Sequence, residues 1–197
     1  MEKFTITITR QFGSLGRSIA KELSDMLGVE FYDRDIVENV SRRLGMPVST
    51  ISDVEEKSKD RLFARRFPLG TDEDYMQDMI FDAQKQIIRE LAEKSSSIFV
   101  GRCSDYILEH EPGNLNLYIY APYANRLDNC EKILGLTREE AQRMIVSVDR
   151  ARNAYHKKYA GYLPSDQKHK HMMIDSSLLG VEETAALIAG VVRTLRG

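Results

Sequence analysis

The stretch ITITRQFGSLGRSIAKEL, residues 6–23, passes from alternating β-branched residues through a turn holding Gly13 and Gly16 into a helical pattern with Ile19 and Leu23 on one face. A strand that enters a helix through a glycine-bearing turn leaves several backbone N–H groups converging on one spot, where the helix dipole adds partial positive charge. Such a spot is suited to phosphate. Laid on residues 11–18, the phosphate-loop pattern G-x-x-x-x-G-K-[ST] gives Q-F-G-S-L-G-R-S. Gly16 and Ser18 fit, and Arg17 keeps a positive charge where lysine is usual. Gln11 replaces the first glycine, with Gly13 supplying turn freedom nearby. In this reading Ser18 holds Mg²⁺ and Arg17 reaches the β- and γ-phosphates of a triphosphate. A glycine-rich turn with no ligand at all is the alternative.

The rest of the chain gives that turn a setting. Further β-rich stretches fall at 29–32, 97–100, 115–120 and 171–174, after a first at 4–9, and amphipathic helical patterns separate them. Alternation of this kind predicts a parallel sheet covered by helices on both faces, with right-handed crossovers. Gly45 and Gly135 read as helix ends, and Thr137 to Glu140 as a capping box. Two segments break the alternation: Ile36–Lys94, which carries the basic run RLFARRF at 61–67, and Thr137–Tyr159, a long charged helix followed by a polar stretch through Lys170.

With 197 residues the chain is expected to form one domain. A net charge of −2 leaves no overall footprint for nucleic acid, so an anionic ligand has to be met by arginines gathered locally. No apolar run approaches the roughly 20 residues that cross a bilayer, and the N-terminus opens on a strand pattern rather than a signal peptide. The expectation is a cytoplasmic protein with no membrane association and with Cys103 and Cys130 as reduced thiols.

The segments TRQFGSLGRSIAKEL, FYDRDIV, SIFVGRCSDYIL, GLTREEAQRMIVSVDRARNAYHKKYAG and MIDSSLLGVEETAALI, in this order, resemble the cytidylate kinase-like family of P-loop proteins. The resemblance implies a P-loop three-layer α/β sandwich with a five-stranded parallel sheet of order 2-3-1-4-5. Residues 1–35, 95–135 and 171–197 would form the core, about 36–94 a helical acceptor-binding insertion, and about 136–170 a lid. It implies a nucleoside monophosphate kinase that transfers the γ-phosphate of ATP, with Mg²⁺, to CMP or dCMP. Two alternatives stay open: a P-loop small-molecule kinase with another acceptor, and a catalytically weak nucleotide-binding regulatory module, which Arg17 in the lysine position keeps in view. The partners expected are small-molecule nucleotides, and the chain is expected to be a monomer or homodimer.

Carried over residue by residue, Gly13, Ser14, Leu15, Gly16, Arg17 and Ser18 form the phosphate loop, with Ser18 as the metal ligand. Asp33, after the second β-rich stretch, would contact the acceptor ribose, or else cap the following helix. Arg102 and Asp105, in GRCSD, correspond to a segment that reads cytosine and holds the acceptor phosphate, although the two are adjacent in the family segment and separated here. Arg126, Asp149, Arg150 and Arg152 resemble lid residues that clamp the transferring phosphoryl group; a solvated helix face is the other reading. Arg42 and Arg43 would reach an acceptor phosphate, and Arg61, Arg65 and Arg66 would close over the same site or line a solvated face. Asp175-Ser176-Ser177 resembles the adenine-side loop. Tyr32, Tyr75 and Tyr155 are candidates for base stacking or for the core. His169 and His171 lack a third ligand for a metal nearby.

Overall fold

The computed structural model describes residues 3–56 and 72–197, so Arg61, Arg65 and Arg66 lie outside the described residues. The strands are β1 (Thr5–Arg10), β2 (Glu30–Tyr32), β3 (Ser97–Val100), β4 (Asn114–Tyr120) and β5 (Met172–Asp175). The helices are α1 (Gly16–Leu27), α2 (Arg34–Leu44), α3 (Val48–Glu56), α4 (Asp72–Lys94), α5 (Ser104–Ile107), α6 (Tyr123–Leu134), α7 (Arg138–Ala160) and α8 (Ser176–Arg196). All strand pairs are parallel, in the order β2-β3-β1-β4-β5. This is the order the resemblance implies. Strand limits differ from the sequence reading by a residue because pairing register, not local alternation, sets where a ladder stops.

The alternation in β1 assigns its two faces. Ile6 and Ile8 are fully buried against Ile19 and Leu23 of α1 and Ile188 of α8. Thr5, Thr7 and Thr9 face the other way and are buried as well, which polar groups tolerate only with partners. The Thr7 hydroxyl donates to Asn116 Oδ1 at 2.5 Å, and that of Thr5 to Asn114 Oδ1 at 3.0 Å. On this side Phe99 joins a second apolar cluster with Ile36 and Val40 of α2, Ile51 of α3, and Ile80, Ile87 and Ile88 of α4. Helices thus cover both faces.

Local chemistry ends the helices as the sequence predicts. Gly45 and Gly135 adopt left-handed conformations after α2 and α6. Thr137 Oγ1 accepts from Glu140 N while Glu140 Oε2 accepts from Thr137 N, completing the capping box. One break was not expected: Gly180 interrupts α8 after its first turn, with φ 79° and ψ −163°. Both cysteines are free and buried, and desolvation pushes their thiols up in pKa, away from reactivity. Among the described residues no helix is long and apolar enough to cross a membrane.

Leu117 on the interior strand β4 is fully buried, whereas Leu178 is 81% exposed. Urea denaturation should show Leu117→Ala destabilised by about 2–5 kcal/mol and Leu178→Ala within about 0.5 kcal/mol of wild type.

Candidate active site

Between β1 and α1 the backbone carbonyls of five successive residues are all taken by the protein. Ser14 Oγ donates to Gln11 O (2.9 Å), Arg126 Nε to Phe12 O (2.7 Å), Asn129 Nδ2 to Gly13 O (2.9 Å), Ser176 Oγ to Ser14 O (2.7 Å) and Ile19 N to Leu15 O (2.9 Å). In a planar trans peptide each carbonyl opposes the next residue's N–H, so fastening the carbonyls outward turns the amides inward. The N–H groups of residues 13–18 meet no protein acceptor among the described residues. Phe12 N is different, donating to Asp149 Oδ1 at 2.8 Å.

Glycine is required at both ends of this cradle. Gly13 has φ +78°, and a Cβ there would lie 2.8 Å from Arg126 O. At Gly16 a Cβ would lie 2.8 Å from Arg10 Cβ, so the first turn of α1 approaches β1 only without a side chain. Ser18 stands exposed in that turn.

Arg17 lies beside the cradle but turns toward β2, its Nε 2.9 Å from Asp33 Oδ2. Asp33 precedes α2 without capping it, since its side chain accepts no bond from the helix amides. Its other oxygen is 3.8 Å from Arg10 Nη2. Arg10, which the sequence reading passed over, also lies across Gly101, where a Cβ would come within 2.1 Å of its Nη1. Gly101, Arg102 and Cys103 all have positive φ (74°, 57°, 53°). For the two with side chains this costs about 1–2 kcal/mol each, and strain of this kind concentrates at functional sites. The turn delivers Arg102 to a cavity of about 80 Å³ beyond the C-terminal ends of β1 and β3, which Arg10, Arg152, Thr9, Tyr155 and His156 also line. Among the described residues three arginines and no carboxylate line it, at the sheet edge where α/β proteins hold ligands.

Other expected site residues are placed elsewhere. Arg126 is buried, donating to Phe12 O and pairing with Asp149, so it fastens the loop from behind. Arg150 is exposed; two residues from Arg152 along α7, it lies about 160° around the helix from it. Arg42 is exposed with Glu38 one turn away, and Arg43 ties α2 to Glu90 of α4. Asp105 is not brought to the cavity. Its carboxylate is fully buried and pairs with Lys170, meets His156 Nε2 at 3.0 Å and accepts from Tyr162 OH at 3.4 Å. Burial works against its charge, but hydrogen bonding and attraction from His156 and Lys170 outweigh it and lower its pKa to about 2.

Most of the remaining described candidates have partners. Tyr155 donates to Gln84, Tyr32 stacks on Phe99, and Tyr75 is exposed. His169 stacks on Tyr162 and bonds Glu109, and His171 Nδ1 accepts from Asn116 N. Ser176 supports the phosphate loop, and Asp175 caps Ser177 N.

A phosphate-type loop after the central strand of a five-stranded parallel sheet in this order defines a P-loop kinase fold. Comparison with known proteins agrees. A shikimate kinase from Acinetobacter baumannii, solved with shikimate, superposes with TM-score 0.55 at 14% identity, covering 98% of this chain and 94% of its own. An uncharacterized protein from Eubacterium ventriosum superposes with TM-score 0.71 at 22% identity, over 97% and 99%. The profile of the cytidylate kinase-like family matches residues 5–178, and the chain belongs to that family. A cytidylate kinase of Methanopyrus kandleri is 24% identical over 199 aligned positions, 96% of this chain and 93% of that one. The protein is therefore a phosphotransferase of the kinase class.

Replacing Asp105 by Asn leaves the Lys170 ammonium buried without its counter-charge, which should destabilise the fold by about 3–5 kcal/mol. Because the folded carboxyl titrates below its ordinary 3.8, its stabilisation is complete above about pH 4 and is lost as pH falls through about 2. Acid unfolding followed by circular dichroism should show that component, on the order of 2 kcal/mol, in the wild type and not in Asp105→Asn.

Proposed function

We propose that the protein transfers the γ-phosphoryl group of ATP to CMP or dCMP. The observation that carries this reading is that β1 runs from a cavity lined by Arg10, Arg102 and Arg152 directly into a loop whose amides at residues 13–18 meet no protein acceptor among the described residues. The cradle fits the β- and γ-phosphates, and the arginine cavity fits the phosphate of an acceptor. The name of the 24% identical relative supports the choice of acceptor.

In this mechanism the amides and Arg17 bind the triphosphate and neutralise charge on the transferring group. Ser18 suits Mg²⁺, which would neutralise phosphate charge when bound. Among the described residues no group of three His, Cys, Asp or Glu gathers as a cage. A hydroxyl at the start of the helix after a phosphate loop would suit this ion, which keeps several waters and takes its other oxygens from substrate phosphates. Arg102, Arg152 and Arg10 hold the acceptor phosphate for in-line attack, and Asp33 accepts from the ribose hydroxyls. Arg126 and Asp149 support the loop, Asp105 positions the 101–105 turn, and Arg42 and Arg150 stay outside the reacting centre.

The sealing of Asp105 favours one second reading, an anionic acceptor other than a cytidine nucleotide, because the carboxylate that would read the base is engaged elsewhere.

A coupled assay with purified protein, ATP and Mg²⁺ against nucleoside monophosphates and small phosphorylated or hydroxylated acids tests this. The fastest transfer should go to CMP or dCMP, and Arg10→Ala and Arg152→Ala should each lower kcat/KM by roughly 10² or more. Background rates with every pyrimidine monophosphate, beside clear turnover of another acid, would move the assignment to the second reading.

A further inference from the structure

Asp33 occupies the position before α2 without bonding the helix amides, and it is only 6% exposed. Its partners are two guanidiniums, one from the first turn of α1 and one from the end of β1. Arg17 Nε lies 2.9 Å from Oδ2, and Arg10 Nη2 lies 3.8 Å from Oδ1. Arg17 belongs to the first turn of α1, next to the free amides, and its side chain is 58% exposed. The residue standing where a phosphate-binding lysine is usual is thus paired with a carboxylate between β2 and α2.

We propose that Asp33 is a latch: it holds Arg17 away from the phosphate cradle until a triphosphate draws the guanidinium across, and that exchange frees Asp33 for the acceptor. This rests on the phosphotransferase reading above and adds a coupling between the two halves of the site. The exchange is physically easy. An ion pair with one half-exposed partner contributes little, whereas a triphosphate offers several negative oxygens to a guanidinium built to bond them in pairs. Asp33, nearly buried, keeps Arg10 beside it after Arg17 leaves, so its charge is not left alone. Its released oxygen can then accept from an acceptor hydroxyl.

Two other roles for Asp33 predict different results. Arg17 has five N–H donors, so Asp33 bonded at Nε can simply orient it toward the phosphates; removing the carboxylate would then weaken triphosphate binding. A carboxylate near the cradle can also repel the anion at a distance, with no role for Arg17. A double-mutant cycle separates all three. A non-hydrolysable ATP analogue with Mg²⁺ is titrated by calorimetry, to millimolar concentration, into wild type, Asp33→Asn, Arg17→Ala and the double variant, with Asp33→Ser as a second carboxylate-free form. Folding of each is checked by thermal unfolding.

The latch predicts that Asp33→Asn and Asp33→Ser bind the analogue about two- to fivefold tighter than wild type, and that the gain disappears when Arg17 is Ala. Weaker binding by the Asp33 variants overturns the latch in favour of orientation. An equal gain with and without Arg17 overturns it in favour of plain repulsion. Both results leave the phosphotransferase reading standing. A wild type that does not bind the analogue removes that reading itself.

Discussion

The site depends on the direction of a few peptide groups. Five carbonyls, from Gln11 to Leu15, each accept a hydrogen bond from the protein, and the donors come from α1, α6 and the start of α8 as well as the loop itself. With those oxygens fastened, the peptide planes carrying the amides of residues 13–16 are held in place, and the first turn of α1 holds those of 17 and 18. An anion arriving there meets donors oriented before it binds, with little reorganisation left. The two β1-side requirements, positive φ at Gly13 and close approach at Gly16, follow from holding that geometry against α6 and Arg10.

Helix α7 is fastened at both ends of the stretch that borders the cavity. Asp149 bonds Phe12 N and Arg126, and about two turns later His156 meets the buried Asp105, with Tyr162 O on its other nitrogen. Arg152 lies between these two anchors and reaches Arg10 O at 3.4 Å. In this structure the stretch forms a wall that holds Arg152 in place. Charges bury themselves here in compensating pairs, Arg126 with Asp149 and Lys170 with Asp105, while Arg10, Arg102 and Arg152 border the cavity.

Much of the fold was legible because it rests on local signals. Alternation in ITIT, the glycines at 13 and 16 and the 137–140 capping box each act over a few residues, and each is found in place. The parts that were not legible depend on distant pairs. Asp105 finds His156 and Lys170 at separations of 51 and 65 residues, which no local pattern announces. The left-handed turn at Arg102 and Cys103 carries it past the cavity. Arg10 carries no local signal of its own for the site; its place there comes from β3, which brings Gly101 beneath its guanidinium. Its position at the C-terminal end of the central strand was the available signal. Arg126 and Arg150 followed from resemblance alone, and helix phase places one beneath the loop and the other on the outside.

The account turns on the amides at the mouth of α1. The most direct measurement follows the backbone N–H resonances of ¹⁵N-labelled protein during titration with an ATP analogue and Mg²⁺. The amides of residues 13–18 should shift together and saturably, as those of a loop that grips phosphate. Saturable binding that leaves these resonances in place and moves others would contradict the account.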